Sequence, residues 1–182
     1  MLKKLVNRFS VFELIIIALM ATLGIATKPV IVPLVHIITG PLYIPGGAIA
    51  GGLYMMWIVL GAGLIGKVGV ATLIALVQSI IVISLGIYGT HGIMSFITYI
   101  IPGIAVDMFL LISGGWDISL GCLFISGILA NLSGTFLVNL VFFRLPLVPL
   151  ILTLSAATLS GGIGGVISVS YTHLRAHETL SD

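Results

Sequence analysis

The sequence predicts an all-α membrane protein: a bundle of about six transmembrane helices with a Pro-rich, lid-like loop after the first. Three observations predict it. Of 182 residues, 59% are hydrophobic and 7% are charged, against about 25% charged in an ordinary soluble domain. The apolar residues form runs of about 20, the length that crosses bilayer hydrocarbon as a helix. Most of the few charges, with Gly- and Pro-bearing turns such as Lys28-Pro29 and Gly66-Lys67, fall between those runs. A water-soluble fold has too little interior to hide this much apolar surface.

The predicted spans are residues 9–26, 47–65, 68–87, 93–112, 118–138 and 148 to about 168. Lys28-Pro29 ends the first, Gly66-Lys67 closes the second, and Tyr88-Gly89-Thr90-His91-Gly92 follows the third. The length suits one domain. The first segment is read as a span and not as a signal peptide, because no small-residue cleavage site with a polar mature region follows it. Lys3, Lys4, Arg8 and Lys67 fall on one side of an alternating six-span chain, and Lys28 and Arg144 on the other. Positive charge is retained in the cytoplasm, so both termini are expected there. The outer loops are then residues 27–46, 88–92 and 139–147. A net charge of +2 gives no sign of a nucleic-acid partner. The single cysteine, Cys122, excludes an internal disulfide and makes no metal framework.

Hydropathy collapses from Val169 onward. The stretch from Val169 to Thr179 resembles a one-frame translation of a transposon adapter used in sequencing libraries. Residues 1–168 are therefore expected to form the native domain, its sixth helix open to truncation, and residues 169–182 a non-native tail, with an ordinary polar cytoplasmic tail as the alternative. His173 and His177 are accordingly not a metal pair, despite their four-residue spacing.

Residues 27–46 carry Pro29, Pro33, Pro41 and Pro45. Proline inside a helix removes a hydrogen bond and clashes with the preceding turn, so the segment is predicted to be a lid or re-entrant loop on the outer face. Gly46, Gly47, Gly51 and Gly52 follow, and allow close backbone approach at the start of the second span.

Ionisable and polar residues within spans need an account, because lipid penalises them. Glu13 is read as snorkelling or pairing with Arg8. Asp107 lies about 20 Å from the outer end of its span at 1.5 Å per residue, a depth that suits a partner contact or a polar pair. His36, Tyr54, Trp57, Gln78, His91, Tyr99 and Asn139 fall toward the outer half. They are the candidate substrate-binding residues, with aromatic walls and a few polar groups. A neutral or weakly cationic heteroaromatic molecule, stacked on Trp57 or a tyrosine, fits that set. Ala18, Thr22 and Ala26 repeat every four residues and put small side chains on one face of the first span, a candidate surface for a membrane partner. The sequence holds no Walker-type phosphate loop, no His-Glu-x-x-His and no Cys cluster. A binder powered from elsewhere is expected, with no catalytic residues, metal or cofactor of its own.

The chain resembles the substrate-binding S component of energy-coupling factor (ECF) transporters, prokaryotic importers of vitamins and trace metals. The resemblance is carried by the Gly-rich stretch from Gly46, Tyr54-Met-Met-Trp57, Gly66-Lys67-Val-Gly-Val-Ala71-Thr, Gln78, Gly86 to Gly92 and Pro102-Gly-Ile-Ala-Val-Asp107. It is most similar to the branch associated with the thiamine precursor hydroxymethylpyrimidine. The resemblance implies capture of a vitamin from outside and docking on a transmembrane coupling subunit, with ATP hydrolysed by two separate subunits. The family's Ala-x-x-x-Ala contact is represented here by Ala18-Thr22-Ala26. Metal-importing relatives carry an N-terminal histidine motif, whereas the first histidine here is His36. A stand-alone secondary transporter or channel is the alternative. It predicts mid-membrane carboxylates or an inverted repeat, and a membrane enzyme is a third reading.

Overall fold

In a computed structural model the described residues form six α-helices. The structure describes residues 9–86, 92–113 and 119–178, with residues 171–178 described for backbone only. The helices are α1 (Val11–Thr39), α2 (Gly46–Ile65), α3 (Val70–Leu85), α4 (Ser95–Ile112), α5 (Leu120–Val138) and α6 (Leu147–Glu178). Five segments are long and apolar enough to cross a membrane, and α3 is shorter. The protein is thus the all-α membrane bundle that hydropathy predicts.

A capping box starts α1. Ser10 Oγ accepts the Glu13 N–H at 3.2 Å, and the Glu13 carboxylate accepts the Ser10 N–H at 2.8 Å. The helix then runs straight through Pro29 and Pro33 to Thr39. This corrects the predicted loop over residues 27–46. A short 3₁₀ turn, Gly40–Leu42, and three further residues are all that separate α1 from α2. The two prolines lie one turn apart. Each forfeits one backbone hydrogen bond, but the segment stays apolar, and helices in lipid tolerate proline because an open chain would leave every polar group unsatisfied. Pro41 and Pro45 occupy positions they favour, at the start of the 3₁₀ turn and the N-cap of α2.

The α2–α3 turn uses glycine where the backbone is left-handed, at Gly66 (φ 63°) and Gly69 (φ 92°). Asp107 reaches across from α4 to cap α3. Its carboxylate accepts the Gly69 N–H at 3.2 Å, the Thr72 N–H at 2.8 Å and the Thr72 hydroxyl at 2.5 Å. Beside it, Lys67 pairs with Glu13 at 2.7 Å. Glu13 is thus paired with Lys67, and Arg8, its partner in the sequence reading, lies outside the described residues. These contacts define the far end of the bundle.

At the centre, α2 packs on α1, α5, α6 and α3. Close approach of α6 depends on glycine: a Cβ on Gly164 would run into the Gly52 carbonyl, and one on Gly127 into the Gly161 carbonyl. Asn131 ties three helices together, donating to the carbonyls of Ala48 at 2.8 Å and Ala157 at 2.9 Å. Ser160 and Ser168 add bonds from α6 to the α2 backbone at Ile49 and Met56. Val169, the first residue of the predicted non-native tail, is buried in the core, and the helix backbone continues to Glu178.

Candidate functional site

Opposite the Asp107 end, the helices part around a cavity of about 450 Å³. Its formation follows from the fold. The extension of α1 past Pro29 forms one wall, the Gly-rich start of α2 lies beneath it, and the first turn of α4 and the ends of α5 and α6 close the ring. Helix α5 ends in a π turn, Asn139–Phe143, and a left-handed Arg144 (φ 47°) that turn the chain back into α6. The walls are mostly apolar and aromatic, as in small-molecule sites generally.

Lys28 is the cation of this cavity. It sits well inside α1, where the sequence places the end of a span. Its ammonium donates to the Tyr99 hydroxyl. It also lies 4.3 Å from the Tyr99 ring centroid and 5.1 Å from that of Tyr54, within cation–π range. Tyr54 is held by its own hydroxyl, which donates to the Gly47 carbonyl at 3.0 Å. His36 Nδ1 accepts the Gly46 N–H at 3.3 Å, which assigns the ring proton of the neutral form to Nε2. Asn139 Oδ1 accepts the Leu145 N–H at 3.1 Å and leaves the amide nitrogen as a donor. Thr153 is fully buried in the wall, and its hydroxyl has no hydrogen-bond partner.

Four predicted binding residues, His36, Tyr54, Tyr99 and Asn139, therefore meet at one cavity. Trp57 and Gln78 do not line it. Trp57 lies nearly a turn deeper than Tyr54 and donates its indole N–H to Thr27 at 3.1 Å. Gln78 is buried against Gly24, between α1 and α3. His91 lies outside the described residues. Among the predicted partner residues, Ala18, Thr22 and Ala26 are exposed along one face of α1, and the Thr22 hydroxyl is satisfied by the Ala18 carbonyl at 2.8 Å. Asp107 is not part of that face: it is 5% exposed and spends its carboxylate on α3. Sequence reasoning missed Lys28, Thr98 and Thr153 in the cavity wall. The signal for Lys28 was present, as a lone cation between two apolar runs.

Among the described residues, the apolar helical bundle thus forms a cavity of about 450 Å³ with Lys28 in its wall. The sequence model described as "ABC-type cobalt transport system, permease component" matches residues 12–133, about two-thirds of the chain. The protein belongs to this family. Its fold is that of a solved protein described as an S-component of ECF transporter, with a TM-score of 0.77 at 18% identity over 94% of this chain and 87% of that one. No curated protein matches the sequence.

Proposed function

We propose that this protein is the substrate-binding S component of an ECF-type importer. It takes up a vitamin or vitamin precursor from outside the cell and delivers it through a coupling subunit driven by separate ATPases. The observation that carries this reading is the cavity of about 450 Å³, set in a fold like that of a solved S-component. No bond-making chemistry is assigned to the chain. It holds the substrate, and its partners supply the energy. It sits in a prokaryotic plasma membrane with the cavity facing outward and both termini in the cytoplasm, the orientation that the sequence positions of Lys3, Lys4, Arg8 and Lys67 support. The exposed Ala18-Thr22-Ala26 face of α1 is the surface offered to the coupling subunit.

Although the family description names cobalt, the donor set supports an organic substrate. Among the described residues no three His, Cys, Asp or Glu side chains are grouped to hold a metal ion. The cavity histidine stands in a wall that also carries the Lys28 ammonium, which repels a divalent cation. The sequence resemblance suggests a thiamine-related pyrimidine, and the aromatic walls suit such a ring. The same lysine opposes cationic thiamine itself.

Co-expression with ECF coupling and ATPase subunits tests this function. The expected result is a four-part complex by native mass spectrometry, lost on Ala18→Trp. In intact cells, a cysteine at Leu42 in a Cys122→Ser background should take a membrane-impermeant maleimide. A protein that purifies alone and drives uptake alone in liposomes contradicts the proposal, and protection of Leu42→Cys contradicts the orientation.

A further inference from the structure

We infer that the substrate carries a negative charge, a carboxylate on a compact aromatic or apolar body, and that Lys28 is the residue that selects it. This rests on the S-component reading and narrows it, placing an anion ahead of a neutral pyrimidine.

The first observation is an uncompensated cation. Lys28 lines the cavity, with the aromatic rings of Tyr54 and Tyr99 and the Tyr99 oxygen as its neighbours. The chain has five carboxylate side chains. Glu13 and Asp107 are engaged at the far end of the bundle, by Lys67 and by the start of α3. Glu178 ends α6, at the end farthest from the cavity, and Asp117 and Asp182 lie outside the described residues. Among the described residues, no Asp or Glu lines the cavity wall. A cation at membrane depth is costly and is ordinarily paired. Here the described residues supply no partner charge, so the ligand is the group left to supply it.

A second observation points the same way. Five polar side chains around the cavity present donors, whereas the hydroxyl protons of Tyr54, Thr98 and Thr135 are spent on Gly47, Ser95 and Asn131. Lys28 has three N–H groups and accepts nothing. Tyr99, because it accepts from Lys28, has its own O–H proton free to donate. Asn139 has its oxygen occupied by the Leu145 N–H, and the His36 proton is on Nε2. Thr153, fully buried and unpartnered, adds a hydroxyl. A donor-rich wall left unfilled is costly, and a site built this way rejects molecules that lack the matching acceptor. A carboxylate offers two oxygens with about four lone-pair positions, which suits this set better than an amide or an amine.

The test is equilibrium binding to the full chain in detergent micelles, using pairs that differ only at the charged group: nicotinate against nicotinamide, 4-aminobenzoate against 4-aminobenzamide, and biotin against its amide. Hydroxymethylpyrimidine and thiamine complete the set. At least one carboxylate should bind, with its amide about a hundredfold weaker, the scale expected when a buried charge loses its partner. Lys28→Met should erase that difference, and Lys28→Arg should keep part of it. A melting temperature for Lys28→Met at or above that of the unaltered protein shows that the variant is folded. The inference is overturned if no carboxylate binds, if acid and amide bind alike, or if hydroxymethylpyrimidine or thiamine binds equally well to the protein and to Lys28→Met. Assembly with the coupling subunit, for which the Ala18-Thr22-Ala26 face and not the cavity is proposed, is measured alongside. An intact complex with the wrong charge preference sinks only this inference, whereas loss of the complex as well sinks the S-component reading.

Discussion

Replacing Asp107 with alanine should cost about 3 kcal/mol of bundle stability, the sum of an emptied helix cap and buried N–H groups left unsatisfied. The carboxylate holds three donors at once, two of them the backbone N–H groups of Gly69 and Thr72 at the start of α3. It also places a negative charge at the positive end of that helix. Because α3 is 16 residues long and has no side-chain cap from its own N-cap residue, it depends on this contact from α4 more than a longer helix would. Asp107→Asn keeps one acceptor oxygen and the same shape, so it should lose about half as much. Unfolding in mixed SDS micelles measures both. A variant within about 0.5 kcal/mol of the unaltered protein, the ordinary range for a surface substitution, would show that the cap is not structural.

An equally large loss is expected from Gly164→Leu. The backbones of α2 and α6 meet where Gly164 faces the Gly52 carbonyl, so no side-chain end can move aside to make room. Any side chain must push α6 off α2. Overpacking of this kind costs about 3 kcal/mol or more, and here it would also separate Ser160 and Ser168 from the α2 carbonyls of Ile49 and Met56. Gly121→Leu is the matched control, since a Cβ there meets open space and its backbone is not left-handed. The control should melt close to the unaltered protein, while Gly164→Leu should melt many degrees lower or fail to assemble. Equal melting of the two would show that the glycine seam does not set the α2–α6 spacing.

Hydropathy and glycine made the bundle legible. Apolar runs located the helices because lipid demands length, and Gly66 marked an end where the chain turns left-handed. The length of α1 was not legible, because the local rule that proline breaks a helix competes with the demand of lipid for satisfied backbone, and at Pro29 and Pro33 the second demand wins. That one misreading also hid Lys28. Once the span was ended at residue 26, the lysine became a boundary charge and not a cavity wall.

Rotation about the helix axis was legible only in part, for a physical reason. In a membrane bundle the lipid-facing and core-facing sides are both apolar, so periodicity does not separate them. Ile37 and Ile38 are 74% and 76% exposed while Ile17 and Ile25 are each 4% exposed, yet the sequence treats all four alike. Depth was read correctly for Tyr54, Tyr99, His36 and Asn139, which reach the cavity, whereas Trp57 and Gln78 at similar apparent depth point elsewhere. Thr153 carries no sequence signal that separates it from the other hydroxyl residues of α6, and only the packing shows it lining the site.

The central claim is that the cavity between α1 and α6 is where the substrate is held. Native mass spectrometry of the purified protein tests it most directly, comparing the unaltered chain with Val138→Trp, which fills the cavity from a partly exposed position, and Leu140→Trp, which faces away at 59% exposure. One bound small molecule of vitamin size is predicted for the unaltered protein and for Leu140→Trp, and none for Val138→Trp. Retention of the same molecule by Val138→Trp, or no bound molecule in any of the three, would contradict it.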